Sequence, residues 1–479
     1  MRCSPPPPLS LPTSQMLSSL LSRHPQPTSP SLSYGTAGFR RAALGLEPSF
    51  LRLGMLAALR SLRSRGCVGL MVTASHNCET DNGAKLAEAD GGMLVAEWEP
   101  IATEVVNATD EHILQTLRDV AERVGVEVCI GEERAERAEG AEGAQHGALG
   151  GAKEGVEEGA ERACVIIGRD TRSHSEGLAA LAAEGAALLG AKVEHLGLVT
   201  TPQLHHAVRF RNGAEFADLR GLEHLRSRPH YGYFEMLATA FRELCEGERC
   251  EPLWVLTPAL HIALLSDRLP TRRTRPAPGA APPSPAAHAL ARLPPASCPL
   301  TTSLPTLHPH HRWVDCAHGV GYHGASALEQ SAGGASSPMR LANAPGEGPL
   351  NEGCGAEYCQ KARLPPRGFS GATGELCCSL DGDADRVVFH YADASGVWRL
   401  LDGDKIAALA ADFVREQLDA LRLDKPLSFA AVQTAYANGA STANLKRTGV
   451  PVIMVRRVPP PPASARCLSQ QSHLSLIHI

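Results

Sequence analysis

Three carboxylates alternate in the stretch Asp381-Gly382-Asp383-Ala384-Asp385-Arg386. Side chains at i, i+2 and i+4 converge on one hard divalent cation if the chain wraps around it. An EF-hand is excluded, because the sixth loop position is Arg386 where that motif needs glycine, and the twelfth is Ala392 where it needs glutamate. A solvated acidic turn fits less well than a metal loop, since apolar strand-like residues flank the cluster, Cys377 to Leu380 before it and Val387 to Phe389 after it. Three neighbouring carboxylates repel one another until a cation relieves them. Mg2+ is favoured over Ca2+, because three protein carboxylates leave octahedral positions for water or phosphate oxygen.

A second constellation is Thr73-Ala74-Ser75-His76-Asn77, which follows the apolar run Val68 to Val72 and precedes Asp81-Asn82-Gly83-Ala84-Lys85-Leu86. Ser75 beside His76 suggests nucleophilic catalysis. Sequence neighbours seldom form a hydrogen-bonded Ser–His pair, however, and no G-x-S-x-G elbow is present. On these residues alone an ordinary turn serine fits as well as a nucleophile. What favours chemistry is company: a metal loop suited to phosphate, and two arginine-bearing loops, Gly35-Thr36-Ala37-Gly38-Phe39-Arg40-Arg41 and Gly168-Arg169-Asp170-Thr171-Arg172. Their backbone N–H groups and guanidinium forks suit phosphate oxygens. No G-x-x-x-x-G-K-[ST] occurs, so a P-loop nucleotide site is not supported. Thr200-Thr201-Pro202-Gln203 with His205 and His206 has no role that chemistry alone assigns, and Tyr231 to Phe234 reads as packing.

The elements that must position these loops repeat a rhythm of short apolar run, polar loop and Ala/Leu-rich helical pattern. It recurs at Val68–Val72, Cys164–Ile167, Trp313–Cys316, Leu376–Leu380 and Ala430–Gln433. Such alternation predicts α/β layers with mixed, mostly parallel sheets flanked by helices. In those sheets the loops at the carboxyl ends of strands carry the chemistry.

The chain has 479 residues, enough for about three domains. A net charge of −5 and 4% aromatics exclude a global basic field or base-stacking platforms, so neither nucleic acid nor a membrane surface is expected as a partner. The longest apolar run, near Leu253 to Leu265, is broken by Pro258 and His261 and is too short to span a bilayer. Met1 to Ser33 contains Ser, Pro and Arg but no acid. That composition weakly resembles a transit peptide; the reading adopted is a leader without structure over 1–30. The fourteen cysteines lack paired C-x-x-C spacing, and reduced thiols in a cytoplasmic protein are expected. Three stretches break the α/β rhythm: an Ala/Gly/Glu-rich insert at 131–162, a segment at 269–311 holding eleven prolines and no acid, and a tail at 456–479. The Pro-rich segment, with His308, His310 and His311, is expected to form no regular element.

Taken together, the motifs resemble the α-D-phosphohexomutase superfamily. The Ser75 loop, the Asp381 to Arg386 loop and Gly168 to Arg172 carry the general likeness. Tyr34 to Arg40, Thr200 to His205, Leu401 to Ile406 and Val432 to Gly439 resemble its phosphoacetylglucosamine mutase branch. The resemblance implies that Ser75 carries a phosphoryl group, and that Asp381, Asp383, Asp385 and an oxygen on Ser75 hold Mg2+. It implies catalytic roles for His76, Lys85 and Arg40, and substrate binding by Arg169, Asp170 and Arg386. The implied reaction interconverts N-acetylglucosamine 6-phosphate and its 1-phosphate through a bisphosphate, a step towards UDP-N-acetylglucosamine; glucose or mannose phosphates, or non-catalytic phosphosugar binding, are the alternatives. The partner would be a small phosphosugar.

The implied domains are domain I over 31–201, domain II over 202–398 and part of domain III over 399–455. Cys78 stands where the family has proline after Ser-His-Asn. After Val452 the family pattern stops: its sugar-binding loop and fourth domain have no counterpart, so the expectation is an incomplete third domain, a missing fourth, and a weak or inactive chain.

Overall fold

The computed structural model describes residues 9–25, 31–35, 38–130, 163–213, 232–244, 312–331, 339–369, 376–420, 428–434, 437–455 and 474–478. The inserts expected at 131–162 and 269–311 lie outside the described residues, as does 456–473 of the tail. The chain divides into two units. The first comprises 1–233 together with 348–351 and 382–384, and the second holds the remainder.

The first unit contains β1 (Leu9–Leu11), α1 (Ser14–Leu21), β2 (Phe39–Ala42), α2 (Glu47–Ser64), β3 (Val68–Val72), β4 (Asp81–Ala87), α3 (Glu99–Asn107), α4 (Ile113–Val124), β5 (Val128–Ile130), β6 (Cys164–Arg169), α5 (Ser175–Leu188), β7 (Lys192–Leu198) and α6 (Thr201–Asn212). Its five-stranded sheet has the order β2-β4-β3-β6-β7. β4 runs antiparallel to β2 and β3, whereas β3, β6 and β7 are parallel. Because strand side chains alternate between faces, the sheet builds two cores. Leu70, Val72, Val165 and Ile167 point into the larger core, which α2 and α5 help to close, while Met71 and Ile166 pack with Leu204 and Val208 of α6 on the other face.

Two glycines let α2 and α5 touch backbone to backbone. A Cβ on Gly54 would sit 1.8 Å from the Ala182 carbonyl oxygen, and one on Gly185 would sit 1.9 Å from that of Leu51. At the other edge of the sheet a Cβ on Gly83 would lie 1.8 Å from the Phe39 carbonyl oxygen. Small residues there bring β2, and with it Arg40, hard against β4.

α7 (Tyr233–Leu244) begins at the boundary of the first unit, where Tyr233 packs 5.3 Å from His206 between ring centroids, in keeping with a packing role. The second unit continues with β8 (Arg312–Asp315), α8 (Gly321–Ser331), β9 (Arg340–Ala342), α9 (Gly355–Ala362), β10 (Leu376–Leu380), β11 (Val387–Ala392), β12 (Trp398–Leu401), α10 (Gly403–Ala420), β13 (Ser428–Thr434), α11 (Gly439–Arg447), β14 (Val452–Val455) and β15 (Leu474–His478). A five-stranded sheet of order β12-β11-β10-β8-β9 again combines parallel strands with an antiparallel edge. β14-β13-β15 form a smaller parallel sheet. Among the described residues no helix is long and apolar enough to cross a membrane.

Four expectations need correction. The leader is not wholly without structure. β1 pairs with β5, the Thr13 hydroxyl caps α1 by accepting the Met16 N–H, and Leu11, Leu17, Leu20 and Leu21 are buried in the first unit's core. The i, i+3, i+4 spacing of Leu17, Leu20 and Leu21 is the helical signal that the flanking prolines obscured. In the tail, Leu474–His478 forms a strand beside β13, consistent with its apolar run. The boundary drawn at 201 falls too early, because α6 covers a face of the first sheet. Finally, Cys67 and Cys164 are joined as a disulfide rather than left as thiols. The parallel register that sets Val68 opposite Val165 also sets these two side by side, with Cα atoms 4.5 Å apart. Cys316, Cys354, Cys359, Cys377 and Cys378 are buried thiols outside that disulfide.

Candidate active site

The Ser75 turn closes the hairpin between β3 and β4. The Ser75 N–H donates to the Thr73 hydroxyl at 2.8 Å, and the Asn77 N–H donates to the Ala74 carbonyl at 3.1 Å. Ser75 has φ of +53°, left-handed backbone that a non-glycine residue adopts at a cost of about 1–2 kcal/mol. Such strain persists only where surrounding contacts over-determine it, which occurs most often at functional sites. The residue is 1% exposed.

The acidic loop joins β10 to β11. The Asp381 carboxylate organises it, since its Oδ1 accepts the backbone N–H groups of Asp385 and Arg386 at 3.1 Å each. One carboxylate oxygen from each of Asp381, Asp383 and Asp385 lies within 4.8 Å of the others.

Asp383 meets Lys85 of β4 and Thr201 at the first turn of α6. The Lys85 ammonium donates to Asp383 Oδ2 at 2.6 Å, and the Thr201 hydroxyl donates to the same oxygen. The Thr201 N–H donates to the Asp383 carbonyl at 3.0 Å. A capping box between Thr200 and Gln203 fixes that helix start. Burial by itself would raise the Asp383 carboxyl; the Lys85 charge, and hydrogen bonding from Lys85, Thr201 and Ser75, overcome it and hold the group well below the usual carboxylate range. Its other oxygen, Oδ1, is buried with no hydrogen-bond partner. An unpartnered carboxylate oxygen beside two more carboxylates is the donor set a hard divalent cation requires, so these residues fit Mg2+.

The other expected site residues divide. Arg40 Nη1 lies 3.3 Å from His76 Nδ1, which brings those two together beside the turn. Arg169 pairs with the exposed Glu176 at 2.9 Å. Arg386 donates to Asp381 at 3.1 Å and to Glu357 at 2.8 Å, with Nη2 buried and unpartnered. Burial alone would lower its basicity; Asp381, Glu357 and Asp385 raise it instead.

Asp170 turns inward. It is fully buried, and both its oxygens are engaged inside the protein: Oδ1 accepts from the Ser175 hydroxyl at 2.6 Å and from the Arg172 N–H at 3.1 Å, while Oδ2 accepts from the Arg172 guanidinium. Arg172, read from sequence as a phosphate fork, points inward too. Its Nη2 donates to the carbonyls of Ser75 at 3.3 Å and Asn77 at 2.8 Å. The loop after β6 tucks beneath the serine turn, so its second arginine is spent on backbone.

Sequence reasoning missed Thr201 and Asn351. Thr201 stood in a noticed motif without an assigned role. Asn351 had no signal: its use follows only from a turn that brings its amide to the carbonyls of Ser75 and Asn77, at 3.0 and 3.1 Å.

Residues 402–458 match the family described as phosphoacetylglucosamine mutase AMG1, domain III, and residues 145–217 match phosphoglucomutase/phosphomannomutase, alpha/beta/alpha domain I. The latter reaches past 201 and agrees with α6 belonging to the first unit. The fold is of the phosphohexomutase class. Within that class the chain is similar to phosphoacetylglucosamine mutases. It is 33% identical to the human enzyme over 423 residues, covering 88% of this chain and 60% of that protein. It is 36% identical to the Arabidopsis thaliana enzyme over 441 residues, covering 90% and 63%. The chain therefore spans about 60% of the length of these curated relatives. A crystal structure of Aspergillus fumigatus N-acetylphosphoglucosamine mutase in complex with GlcNAc-6P and magnesium superposes with a TM-score of 0.66 at 27% identity, over 93% of this chain and 66% of that one. A serine-to-alanine variant of the same mould enzyme, in complex with glucose 1,6-bisphosphate, gives 0.68 at 28%, over 92% and 65%.

Proposed function

We propose that the chain is a phosphoacetylglucosamine mutase, an isomerase that moves a phosphoryl group between the 6- and 1-oxygens of N-acetylglucosamine. The observation that carries the reading is that the Lys85 ammonium and the Thr201 hydroxyl address one buried carboxylate, Asp383, of an acidic loop whose Gly382 lies against the Ser75 carbonyl. That arrangement suits phosphoryl transfer, which asks the protein mainly for positioning and charge neutralisation. The similarity to enzymes crystallised with GlcNAc-6P and with a sugar bisphosphate supports this substrate class.

In this reading Asp381, Asp383 and Asp385, with an oxygen on Ser75, hold Mg2+, which when bound neutralises charge on the transferring group. Ser75 carries the phosphoryl group and passes it to the free hydroxyl of the sugar monophosphate, giving a bisphosphate; the other phosphoryl then returns to Ser75. In the same reading Lys85, Arg40 and His76 supply positive charge and hydrogen bonds to the transferring group. Arg169 and Arg386 offer guanidinium groups to the substrate. The division into a domain I that includes α6, a domain II around β8–β12 and a domain III from about 402 belongs to the same reading. A cytoplasmic location, upstream of nucleotide-sugar synthesis, goes with it.

The test is to supply the 479-residue chain with Mg2+, glucose 1,6-bisphosphate and N-acetylglucosamine 6-phosphate, and to follow the 1-phosphate by 31P NMR. Glucose 6-phosphate and mannose 6-phosphate run alongside. Product from the N-acetylated sugar in preference supports the reading; product only from the others refutes it.

A further inference from the structure

The Ser75 carbonyl is enclosed on three sides. Arg172 Nη2 donates to it at 3.3 Å and Asn351 Nδ2 at 3.0 Å, and the same two nitrogens donate to the Asn77 carbonyl at 2.8 and 3.1 Å. The third side is Gly382 of the acidic loop, where a Cβ would lie 2.7 Å from the Ser75 carbonyl oxygen. Arg172 is held in turn by Asp170, and both are buried. Asn351 is itself left-handed, with φ of +61°.

We propose that Arg172 and Asn351 are positioning residues that clamp the Ser75 turn, keeping its strained backbone in the one conformation that sets the serine against the acidic loop. The proposal rests on the phosphoryl-transfer reading above and deepens it.

The physical argument starts from the strain. A serine at positive φ relaxes to the ordinary helical or extended regions when nothing restrains it. Relaxation rotates the Cα–Cβ bond and changes its direction relative to the acidic loop. The Ser75 N–H bond to Thr73 restrains one side of the residue only. Two donors that each bridge the carbonyls of 75 and 77 restrain the other side, and the fixed backbone then gives the Cα–Cβ bond one direction, leaving Oγ only its staggered rotamers. A guanidinium does this where an ammonium does not, because its fork reaches Asp170 through Nη1 and both carbonyls through Nη2. The glycine at 382 allows the acidic loop to approach the same carbonyl, so the hydroxyl and Asp383 are referenced to one point.

Asn351 is the residue to test, because removing Arg172 strands a buried Asp170. Asn351→Gly tolerates the positive φ and deletes both donated bonds; Asn351→Asp keeps the shape and replaces the donor with an acceptor. Three readouts are taken on the full chain. Hydrogen exchange of the peptide spanning 73–81 should accelerate at least tenfold in both variants, with the thermal midpoint of the first unit little changed. Transfer of phosphoryl from glucose 1,6-bisphosphate to Ser75, followed by intact mass, should slow at least tenfold, and kcat should fall by a similar factor while KM for the sugar phosphate stays within twofold. Exchange unchanged in the variants overturns the clamp. Exchange accelerated with phosphoryl transfer unaffected overturns its positioning role and leaves a structural one. If the wild-type chain takes up no phosphoryl on Ser75, it is the mutase reading that fails, and the exchange comparison alone decides whether the turn is clamped.

Discussion

Lys85 and Asp383 are separated by 298 positions in the sequence, yet the Lys85 ammonium lies 2.6 Å from the Asp383 carboxylate, the two side chains being 6% and 0% exposed. A buried pair of this kind is weak evidence for stability in itself, since desolvating both charges offsets much of their attraction. Its significance is that it anchors the acidic loop to the strand that follows the serine turn.

Breaking the pair from one side leaves a buried carboxylate without its counter-charge. Lys85→Met is expected to lower stability by about 3–5 kcal/mol in the presence of a chelator. The same change removes a positive charge next to the proposed cation site, so added Mg2+ should raise the melting temperature of the variant more than that of the wild type. Thermal melts with EDTA and with Mg2+ read both effects.

Ser75→Ala is expected to abolish phosphoryl uptake and turnover without unfolding the chain. The backbone at 75 is held by its N–H and carbonyl, which alanine keeps. Intact mass after incubation with a sugar bisphosphate, alongside circular dichroism, separates chemistry from folding.

Among the three aspartates, Asp385 is the one to substitute when asking about the cation. Asp381 organises the loop backbone and Asp383 carries Lys85 and Thr201. Asp385→Asn should weaken Mg2+ binding by at least about tenfold, the scale seen when a site's supporting groups are altered. Isothermal titration of Mg2+ into chelator-treated protein checks it.

His390 predicts an acid-side loss of stability in the second unit. Its Nε2 lies 3.1 Å from the Ser379 hydroxyl, and Phe369 and Trp398 pack around the ring. Burial pushes its pKa down from 6.5 to about 4. The folded state therefore resists a proton that the unfolded chain accepts. The contribution is full above pH 6.5 and falls away as the pH drops towards 4, by roughly 3 kcal/mol in all. Urea midpoints at pH 7 and pH 4.5 measure the loss, and His390→Phe should shrink the difference between them.

Gly54→Ala drives a methyl group into the Ala182 carbonyl, 1.8 Å away, where the neighbour is backbone of a packed helix. The cost should reach about 3 kcal/mol or more, the upper range for overpacking. Gly177→Ala on α5, where nothing lies within 4 Å, should be neutral or stabilising. Denaturant midpoints of the two variants distinguish contact from helix propensity.

The metal loop was legible because its logic is local. Alternating carboxylates between two apolar strands declare themselves within a dozen residues, and so does a polar turn at the end of a buried strand. The α/β layering was legible for the same reason: period-two and helical patterns are properties of short windows. The packing of β1, α1 and β15 was less so, because each is short and set beside proline-rich sequence that suggests no element at all.

What the amino-acid order determined alone was therefore an inventory: Ser75, the acidic trio, Lys85, the arginine loops and the strands that carry them. Their division of labour was decided by the tertiary structure. Arg169 and Arg172 stand three residues apart in one loop, yet the first reaches an exposed glutamate and the second is buried beneath the serine turn. Asp170 looked like a ligand for substrate and is the buried mate of Arg172. Side-chain type sets which bonds a residue is able to make, but burial and direction set which it makes, and those depend on strands and helices that arrive from hundreds of residues away.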